Sequence, residues 1–283
     1  MKNKLFRAVL GVLFISPLLV MNSCKEDIGI AESANASTKA RAVYDTRSIS
    51  FDRTTGTYLL ADAVTDFGNM TTGWNESRAY ITTNQCQIKV LANALSAASG
   101  MIAKYDIADG SEYSTTFKIK FHTDFEWCTG GKVGPGFFIG DGGAGGAGGS
   151  DGLGGSLRLV WHKHPTTGEV YFQAYAYHKD QPNEYGSSFG RFPATGSLNK
   201  NQWYTVTLYV KSNTGTNTDG RVKFIVDGTT VYDAPIRWTT DDTKRLVNRM
   251  EFATFRGGAT ADYMSSTDSY IYYNDLSWTR IAP

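Results

Sequence analysis

The chain has 283 residues, a net charge of +1 and 19% charged residues. This length allows one large domain or two small ones. The near-neutral charge excludes a general attraction to nucleic acid or to anionic membranes, so that any attraction for an anionic ligand must be local. The 30 glycines and 16 tyrosines, with short alternating runs between turn signals, predict an all-β protein.

The first residues predict a targeting segment. Two lysines precede an apolar run from Ala8 to Met21, and Cys24 follows shortly after. A cationic start and a short apolar run before small residues are typical of a secretory signal, and a cysteine at the cut resembles a bacterial lipobox. The charged stretch Lys25–Asp27 resembles the export tag of Bacteroidetes surface lipoproteins. We therefore expect a lipoprotein signal peptide at 1–24, lipidation of Cys24 and a cell-envelope location, with a periplasmic or secreted protein as the alternative.

The rest of the chain is expected to form one domain behind a tether. Residues 25–43 are rich in alanine, serine and threonine and lack an apolar period, which predicts a flexible tether. The domain then spans 44–283, and membrane contact is expected only through the lipid anchor. With Cys24 lipidated, Cys86 and Cys128 remain, and two cysteines in an exported domain can form a disulfide. The sequence leaves open whether they do.

Alternation of apolar and polar residues predicts a series of strands. In chain order, the clearest are Phe117–His122, Gly155–His162, Val170–Tyr177, Tyr204–Lys211, Val222–Val226, Thr229–Tyr232, Met250–Phe255 and Tyr270–Tyr273. An Asp-Gly turn joins the fifth and sixth into a hairpin, and residues 241–248 are predicted to form a short helix. Long strands, few helices and sequential hairpins predict a jelly-roll β-sandwich of antiparallel sheets.

The second and third of these strands form a predicted hairpin across the turn His164–Glu169. When its apolar residues face the core, the most natural register pairs Arg158 with Tyr175 and Ser156 with Tyr177 on the outer face. These four side chains are expected to line one open, concave surface. The ammonium of Lys132 is expected to approach the tyrosines from a neighbouring strand or turn. Together, these side chains suit the removal of a carbon-bound proton next to a carboxylate. Tyrosine-rich faces also bind sugars passively. Other outward residues of the hairpin are candidates for substrate binding: Tyr171, Gln173 and His162.

Three further features are compared with known kinds of functional site: a phosphate loop, a metal site and a pair of glycosidase carboxylates. Residues 140–155 are dominated by glycine but lack the Gly-Lys-Ser/Thr of a phosphate loop, so we expect either a lid beside the site or a solvent-exposed insertion. His162 and His164 share a strand face without a third ligand, so no metal is expected. Asp124 and Glu126 are the nearest carboxylates for a glycosidase, but they precede the Gly-Gly-Lys turn instead of lining the tyrosine face.

Several motifs resemble polysaccharide lyase family 14. The segment Phe125–Gly136 resembles that family's GGK-L-PG segment, Ser156-Leu-Arg158 with Trp161 resembles its Ser-x-Arg-x-x-Trp strand, and Tyr175-Ala-Tyr177 its Tyr-x-Tyr strand. Further matches follow in the family's order: Asn201–Trp203, Asp219-Gly220, Val226–Gly228 and Phe255–Gly258. The sequence departs from the pattern by an extra residue after the lysine and by a longer gap before the Tyr-x-Tyr strand, which makes Tyr171 an alternative match.

The resemblance implies a jelly roll that cleaves a uronate polysaccharide, such as alginate or glucuronan, by β-elimination without metal or organic cofactor. The family's functional residues correspond here to Lys132, Ser156, Arg158, Tyr175 and Tyr177. Arg256 is a further candidate for substrate binding.

In this hypothesis the cations stabilise the enolate, and one tyrosine is the base while the other protonates the leaving O4. Lys132 is an alternative base, and Ser156 orients the substrate. The expected partner is an anionic polysaccharide, bound by a monomer, with no nucleic acid. Two other classes stay open: a non-catalytic glycan-binding surface lipoprotein and a jelly-roll glycoside hydrolase.

Overall fold

A computed structural model describes residues 43–283. The predicted signal peptide, the lipidation site Cys24 and the tether up to residue 42 lie outside the described residues. Within the described part, no helix is both long and apolar enough to cross a membrane.

The described residues form strands for the most part. The eighteen strands are β1 (Thr46–Ile49), β2 (Gly56–Thr57), β3 (Met70–Thr72), β4 (Ala79–Thr82), β5 (Gln85–Val90), β6 (Met101–Gly110), β7 (Glu112–Phe121), β8 (Gly130–Gly140), β9 (Gly143–Ala144), β10 (Ala147–Gly148), β11 (Gly154–Lys163), β12 (Val170–Tyr177), β13 (Ser187–Phe192), β14 (Tyr204–Lys211), β15 (Gly220–Val226), β16 (Thr229–Ile236), β17 (Val247–Arg256) and β18 (Ser269–Ala282). The helices are α1 (Leu60–Phe67), α2 (Ser96–Ser99) and the 3-10 turns Asp242–Lys244 and Ala261–Tyr263.

The strands form two large antiparallel sheets, as expected for a jelly-roll β-sandwich. One sheet has nine strands in the order β16-β15-β14-β7-β18-β5-β4-β2, with β1 also paired to β18. The other has seven strands in the order β13-β12-β11-β8-β17-β6-β3, and β9 and β10 form a separate small hairpin. The predicted all-β fold is therefore confirmed.

One hydrophobic core lies between the inner faces of the two sheets. Phe121 of the nine-stranded sheet packs 5.8 Å from the Trp161 ring and 5.9 Å from the Phe172 ring of the seven-stranded sheet, measured between ring centroids. Each of these side chains is at most 1% exposed. Burial on this scale removes apolar surface from water and is the main stabilising contribution to such a sandwich. The side chains of the inner faces are thus buried in the core, and a site that binds or converts a ligand must lie on an outer face.

The predicted strands match the structure closely, with one exception among the elements. Val170–Tyr177 and Tyr204–Lys211 have the predicted bounds. The helix predicted over 241–248 is wrong. Only the 3-10 turn Asp242–Lys244 forms there, because strand β17 begins at Val247 and pairs with both of its neighbours.

Candidate active site

The predicted hairpin forms with the predicted register. Arg158 lies opposite Tyr175 and Ser156 lies opposite Tyr177 across β11 and β12. The alternate residues Leu157 and Leu159 are fully buried in the core. The prediction that the four polar residues share the outer face of one sheet is therefore confirmed.

Lys132 reaches the same face from the neighbouring strand β8. Its ammonium nitrogen lies 5.1 Å from the centroid of the Tyr175 ring and 5.3 Å from that of Phe255 on β17. A bulge between β8 and β11 sets this position, since Leu157 pairs with Phe137 but Leu159 pairs with Val133. The expected convergence of the lysine on the tyrosines is present.

The bulge leaves room for Arg158 because a glycine lies across from it. A Cβ atom at Gly136 would stand 2.6 Å from Cγ of Arg158 and 2.7 Å from the Leu157 carbonyl oxygen, closer than van der Waals contact allows. The arginine side chain therefore crosses the space that a side chain at 136 would fill. Its guanidinium carbon lies 5.8 Å from the Tyr175 ring centroid and 5.5 Å from that of Tyr177.

The glycine-rich segment packs over one half of this face. The Ser156 hydroxyl donates to the Gly143 carbonyl oxygen at 2.7 Å, and the Gly146 amide donates to the Tyr177 hydroxyl at 2.9 Å. A Cβ atom at Gly143 would meet Cβ of Tyr177 at 2.8 Å, so glycine is what permits this close approach. The segment therefore lies beside the site, as expected for a lid, while Asp141, Ala144, Gly145, Ser150, Asp151 and Leu153 are exposed to solvent. Its opening and closing stay a prediction.

This cover corrects the expectation of an open polar face. Ser156 is fully buried, Tyr177 is 1% exposed and Arg158 is 5% exposed. Lys132 and Tyr175 remain half-buried. Of the five predicted catalytic residues, only these two have more than marginal exposure to solvent in this conformation.

The sequence analysis missed a buried carboxylate, Glu251 of β17. It is 3% exposed, and its Oε1 lies 3.8 Å from Nη1 of Arg158. Oε1 has no hydrogen-bond partner among the described residues, so the interaction with the arginine is purely ionic. A signal was present in the sequence: Arg249 and Glu251 alternate with Met250 and Phe252, which places both charges on the outer face of a strand.

The electrostatics of the face single out Lys132. Burial, the largest effect, and the positive charge of Arg158 together lower the pKa of its ammonium to about 7, with Glu251 acting in the opposite direction. Burial also raises the pKa of Tyr175, assisted by the neighbouring Tyr177, while Arg158 acts in the opposite direction. At neutral pH, the charged and neutral forms of Lys132 are therefore both populated, and Tyr175 stays protonated.

The predicted substrate-binding residues of the hairpin lie on the same outer face but are engaged within the protein. The guanidinium carbon of Arg191 stacks 4.2 Å from the Tyr171 ring centroid. The Gln173 amide donates to the Gly190 carbonyl oxygen at 3.0 Å. His162 lies 5.4 Å from the Tyr171 ring, and burial lowers its pKa.

The assignment of Arg256 to substrate binding is wrong. On β17, Phe255 faces Lys132, so the alternation of the strand turns Arg256 to the opposite side. Arg256 is fully buried, and its Nη1 donates to the Glu126 carbonyl oxygen at 2.7 Å and to Sγ of Cys128 at 3.3 Å. It supports the loop before β8 and does not reach the outer face.

The other features considered in the sequence do not add to this site. The Glu126 carboxylate accepts hydrogen bonds from the backbone and hydroxyls of Ser266 and Thr267, so it anchors a loop. Residues 43–283 contain no group of three or more histidine, cysteine or acidic side chains able to hold a metal. Cys86 and Cys128 are both buried free thiols, which answers the open question of a disulfide.

Comparison with known proteins identifies the family. The profile described as polysaccharide lyase 14 matches residues 81–276. The chain belongs to polysaccharide lyase family 14. As a member of this family it is a lyase that acts on a polysaccharide. A search of curated protein sequences returned no match.

Solved structures of lyases share this fold. The alginate lyase Aly36B is 47% identical over 85% of this chain and 99% of its own, with a TM-score of 0.83. A double variant of Aly36B in complex with an alginate trisaccharide is 47% identical over 85% of this chain and 100% of its own, also at 0.83. The marine PL-14 alginate lyase from Aplysia kurodai shares the fold at 23% identity, covering 86% and 100% of the two chains, with a TM-score of 0.66.

Proposed function

We propose that this polysaccharide lyase degrades alginate, with Lys132 as the catalytic base. The similarity to Aly36B supports the substrate, because a variant of that alginate lyase was solved with an alginate tetrasaccharide at 46% identity and a TM-score of 0.83. The observation that carries the mechanism is the half-buried Lys132 amine beside Tyr175, with a pKa lowered to about 7.

A base with a pKa near the working pH combines a useful neutral fraction with adequate basicity. Lys132 meets this condition, whereas Tyr175 does not, because its raised pKa leaves almost no phenolate at neutral pH. Tyr177 is covered by the glycine-rich segment. Lys132 therefore removes the C5 proton of the uronate. This assignment replaces the tyrosine base favoured by the sequence with the alternative that the sequence left open.

Tyr175 and Arg158 stabilise the charge that develops on the substrate. The Tyr175 hydroxyl accepts the Gly186 amide at 3.0 Å, and its own retained proton is available for a hydrogen bond to the carboxylate as that group becomes an enolate. Arg158 lies beneath the face and contributes a fixed positive charge in a region of low polarity, where such charges act strongly. Ser156 holds the covering segment through Gly143 and acts as a positioning residue.

The protonated Lys132 then returns the proton to the leaving O4. Its ammonium, with a pKa near 7, is a far stronger acid than a tyrosine whose pKa is raised. The C4–O4 bond breaks as the electrons of the C5–H bond form the C4–C5 double bond, so one proton is moved and nothing is oxidised. A single residue in both roles requires the C5 hydrogen and O4 to lie on the same side of the sugar ring. Mannuronate has this arrangement and guluronate does not, so we propose that mannuronate-rich alginate is the better substrate.

The experiment is an absorbance assay with polymannuronate, polyguluronate, glucuronan and neutral cellulose. Elimination gives a conjugated double bond that absorbs ultraviolet light, whereas hydrolysis does not. We expect absorbing product from polymannuronate at the highest rate. Reducing ends without absorbance would indicate a glycoside hydrolase, and binding without product would indicate a glycan-binding protein. Either result would overturn the proposal.

We also propose that lipidation of Cys24 anchors the enzyme in the cell envelope. The support is the arrangement of the first residues, with two lysines, an apolar run to Met21 and the cysteine. Expression of the full chain should give a membrane-associated protein labelled by a fatty-acid analogue, and Cys24→Ala should remove the label. An unlabelled wild-type protein in the soluble fraction would contradict the anchor.

A further inference from the structure

A second group of sugar-compatible side chains lies on the outer face of the nine-stranded sheet, away from the proposed active site. Adjacent strands place five outward residues in one row across the sheet, which we call the aromatic row: Tyr80 on β4, Gln87 on β5, Tyr272 on β18, Lys120 on β7 and Trp203 just before β14. Tyr80 is 40% exposed, and the other four are half-buried.

The rings of the aromatic row recur at every second strand. Tyr80 and Tyr272 are separated by β5, and Tyr272 and Trp203 are separated by β7. Neighbouring strands lie about 4.8 Å apart, so the row spans roughly 19 Å from its first ring to its last. The strand spacing is close to the advance of one sugar along an extended 1,4-linked pyranose chain. A chain lying across the strands would therefore meet a ring at every second sugar.

A lysine without a carboxylate partner lies inside this row. The Lys120 ammonium is 4.8 Å from the Trp203 ring centroid and 4.9 Å from that of Tyr272. The outward lysines nearest to it in the sheet are neutralised, since Lys118 pairs with Asp275 at 2.7 Å and Lys89 with Asp268 at 2.8 Å. Lys120, by contrast, forms no ion pair with any other described residue.

This combination favours an acidic sugar polymer over other ligands. The apolar faces of pyranose rings pack on aromatic rings. The Tyr hydroxyl and the Trp N–H at the edges of those rings can then form hydrogen bonds with the sugar hydroxyls. Lys120 supplies the charge that a uronate carboxylate needs. Burial lowers the pKa of Lys120, which indicates that its ammonium is partly desolvated and would be stabilised by an anionic ligand. A protein partner would more commonly require a larger continuous apolar patch.

We infer that the aromatic row is a second, non-catalytic binding site for uronate oligosaccharides. This inference rests on the proposed function only for the identity of the sugar acid. The site would hold one stretch of polymer on the outer face of one sheet while another stretch is cleaved on the outer face of the other sheet.

The test is isothermal titration calorimetry with an alginate hexasaccharide and the Lys132→Ala variant, which is expected to slow cleavage, with absorbance recorded to check that the hexasaccharide stays intact. We expect a second hexasaccharide per chain, and we expect it to be lost when Trp203→Ala and Tyr272→Ala are added. Tyr209→Ala is the matched control, because Tyr209 is an outward aromatic on the same sheet with Lys223 5.0 Å from its ring, outside the row. Thermal unfolding of each variant shows whether it is folded.

Two further titrations test whether the second site selects acidic sugars. Lys120→Gln preserves the packing and should weaken the binding of the second hexasaccharide. Neutral cellohexaose should bind at the aromatic row more weakly than the acidic sugar. A single hexasaccharide per chain, unchanged by the Trp203 and Tyr272 substitutions, would overturn the inference even if wild type cleaves alginate. Failure of the proposed function instead appears as no unsaturated product from wild type. Equal binding of cellohexaose would overturn the assignment to acidic sugars.

Discussion

The outer faces of the two sheets each hold a lysine between two aromatic rings, yet their chemistry differs. Lys132 lies 5.1 Å and 5.3 Å from the rings of Tyr175 and Phe255. Lys120 lies 4.8 Å and 4.9 Å from those of Trp203 and Tyr272. Burial lowers the pKa of both lysines, but Lys132 also faces the positive charge of a buried arginine. The comparison teaches that the environment of a strand lysine, and not its aromatic neighbours alone, sets its pKa.

Replacing the lysine of the seven-stranded sheet should have the largest effect. Lys132→Ala removes the proposed base and should lower the rate of unsaturated-product formation by about 10²- to 10⁴-fold, the usual range for general acid–base catalysis. Lys132→Arg should be equally poor, because a guanidinium cannot be deprotonated in a protein. Lys223→Ala is the control, since it removes another lysine that lies over a tyrosine ring. Activity of Lys132→Arg close to wild type would reject the lysine base.

The two tyrosines should differ in the same assay. Tyr175→Phe removes the hydroxyl of the half-buried ring beside Lys132 and should lower the rate by about 10²-fold, at the lower end of the same range. Tyr177→Phe removes the acceptor of the Gly146 amide beneath the glycine-rich segment and the hydroxyl that helps to raise the pKa of Tyr175. Its rate should fall less than that of Tyr175→Phe. The reverse order would mean that the segment opens to expose Tyr177 during turnover.

The buried ion pair should control both stability and pH dependence. Glu251→Gln leaves Arg158 buried without a counter-charge and should lower the free energy of unfolding by about 3–5 kcal/mol, as for other broken buried pairs. Because Glu251 raises the pKa of Lys132, its loss should move the rising limb of the rate against pH to lower pH.

The opposite substitution provides the control. Arg158→Met removes the charge that lowers the pKa of Lys132 and should move the rising limb to higher pH. Chemical denaturation measures the stability, and kcat/KM as a function of pH measures the limb. Shifts of the same sign in the two variants would show that the pair does not act through Lys132.

A smaller effect is expected on stability alone. In the folded protein the pKa of Lys132 is near 7, below its ordinary value of about 10.4. Below pH 7, burial of the charged ammonium therefore destabilises the folded state to its full extent. This destabilisation disappears as pH rises from 7 towards 10.4. Lys132→Met should thus raise the melting temperature by a few degrees at pH 6 and by less at pH 10. An equal gain at both pH values would mean that the ammonium is not desolvated.

The sequence was sufficient for the parts that depend on local alternation. The pairing of Arg158 with Tyr175 followed from the strand period and the need to bury Leu157 and Leu159. The same rule could have found Glu251 and could have excluded Arg256, since both lie on β17 and face opposite sides.

Other features depend on packing between distant segments. The cover over Ser156 and Tyr177 requires the glycine-rich segment to fold back on the sheet, which its composition allows but does not specify. The pKa of Lys132 depends on desolvation and on charges from two other strands. A tyrosine base was favoured from the sequence because these quantities are set only in the assembled sheet.

The pH dependence of kcat/KM for wild-type enzyme on polymannuronate tests the central claim most directly. This quantity reports the free enzyme's ionisations. Because the neutral amine of Lys132 is the reactive form in the proposed mechanism, the rate should rise with pH and level off above a midpoint of about 7. A rising limb with its midpoint near 10, the ordinary pKa of tyrosine and lysine side chains, would contradict the account.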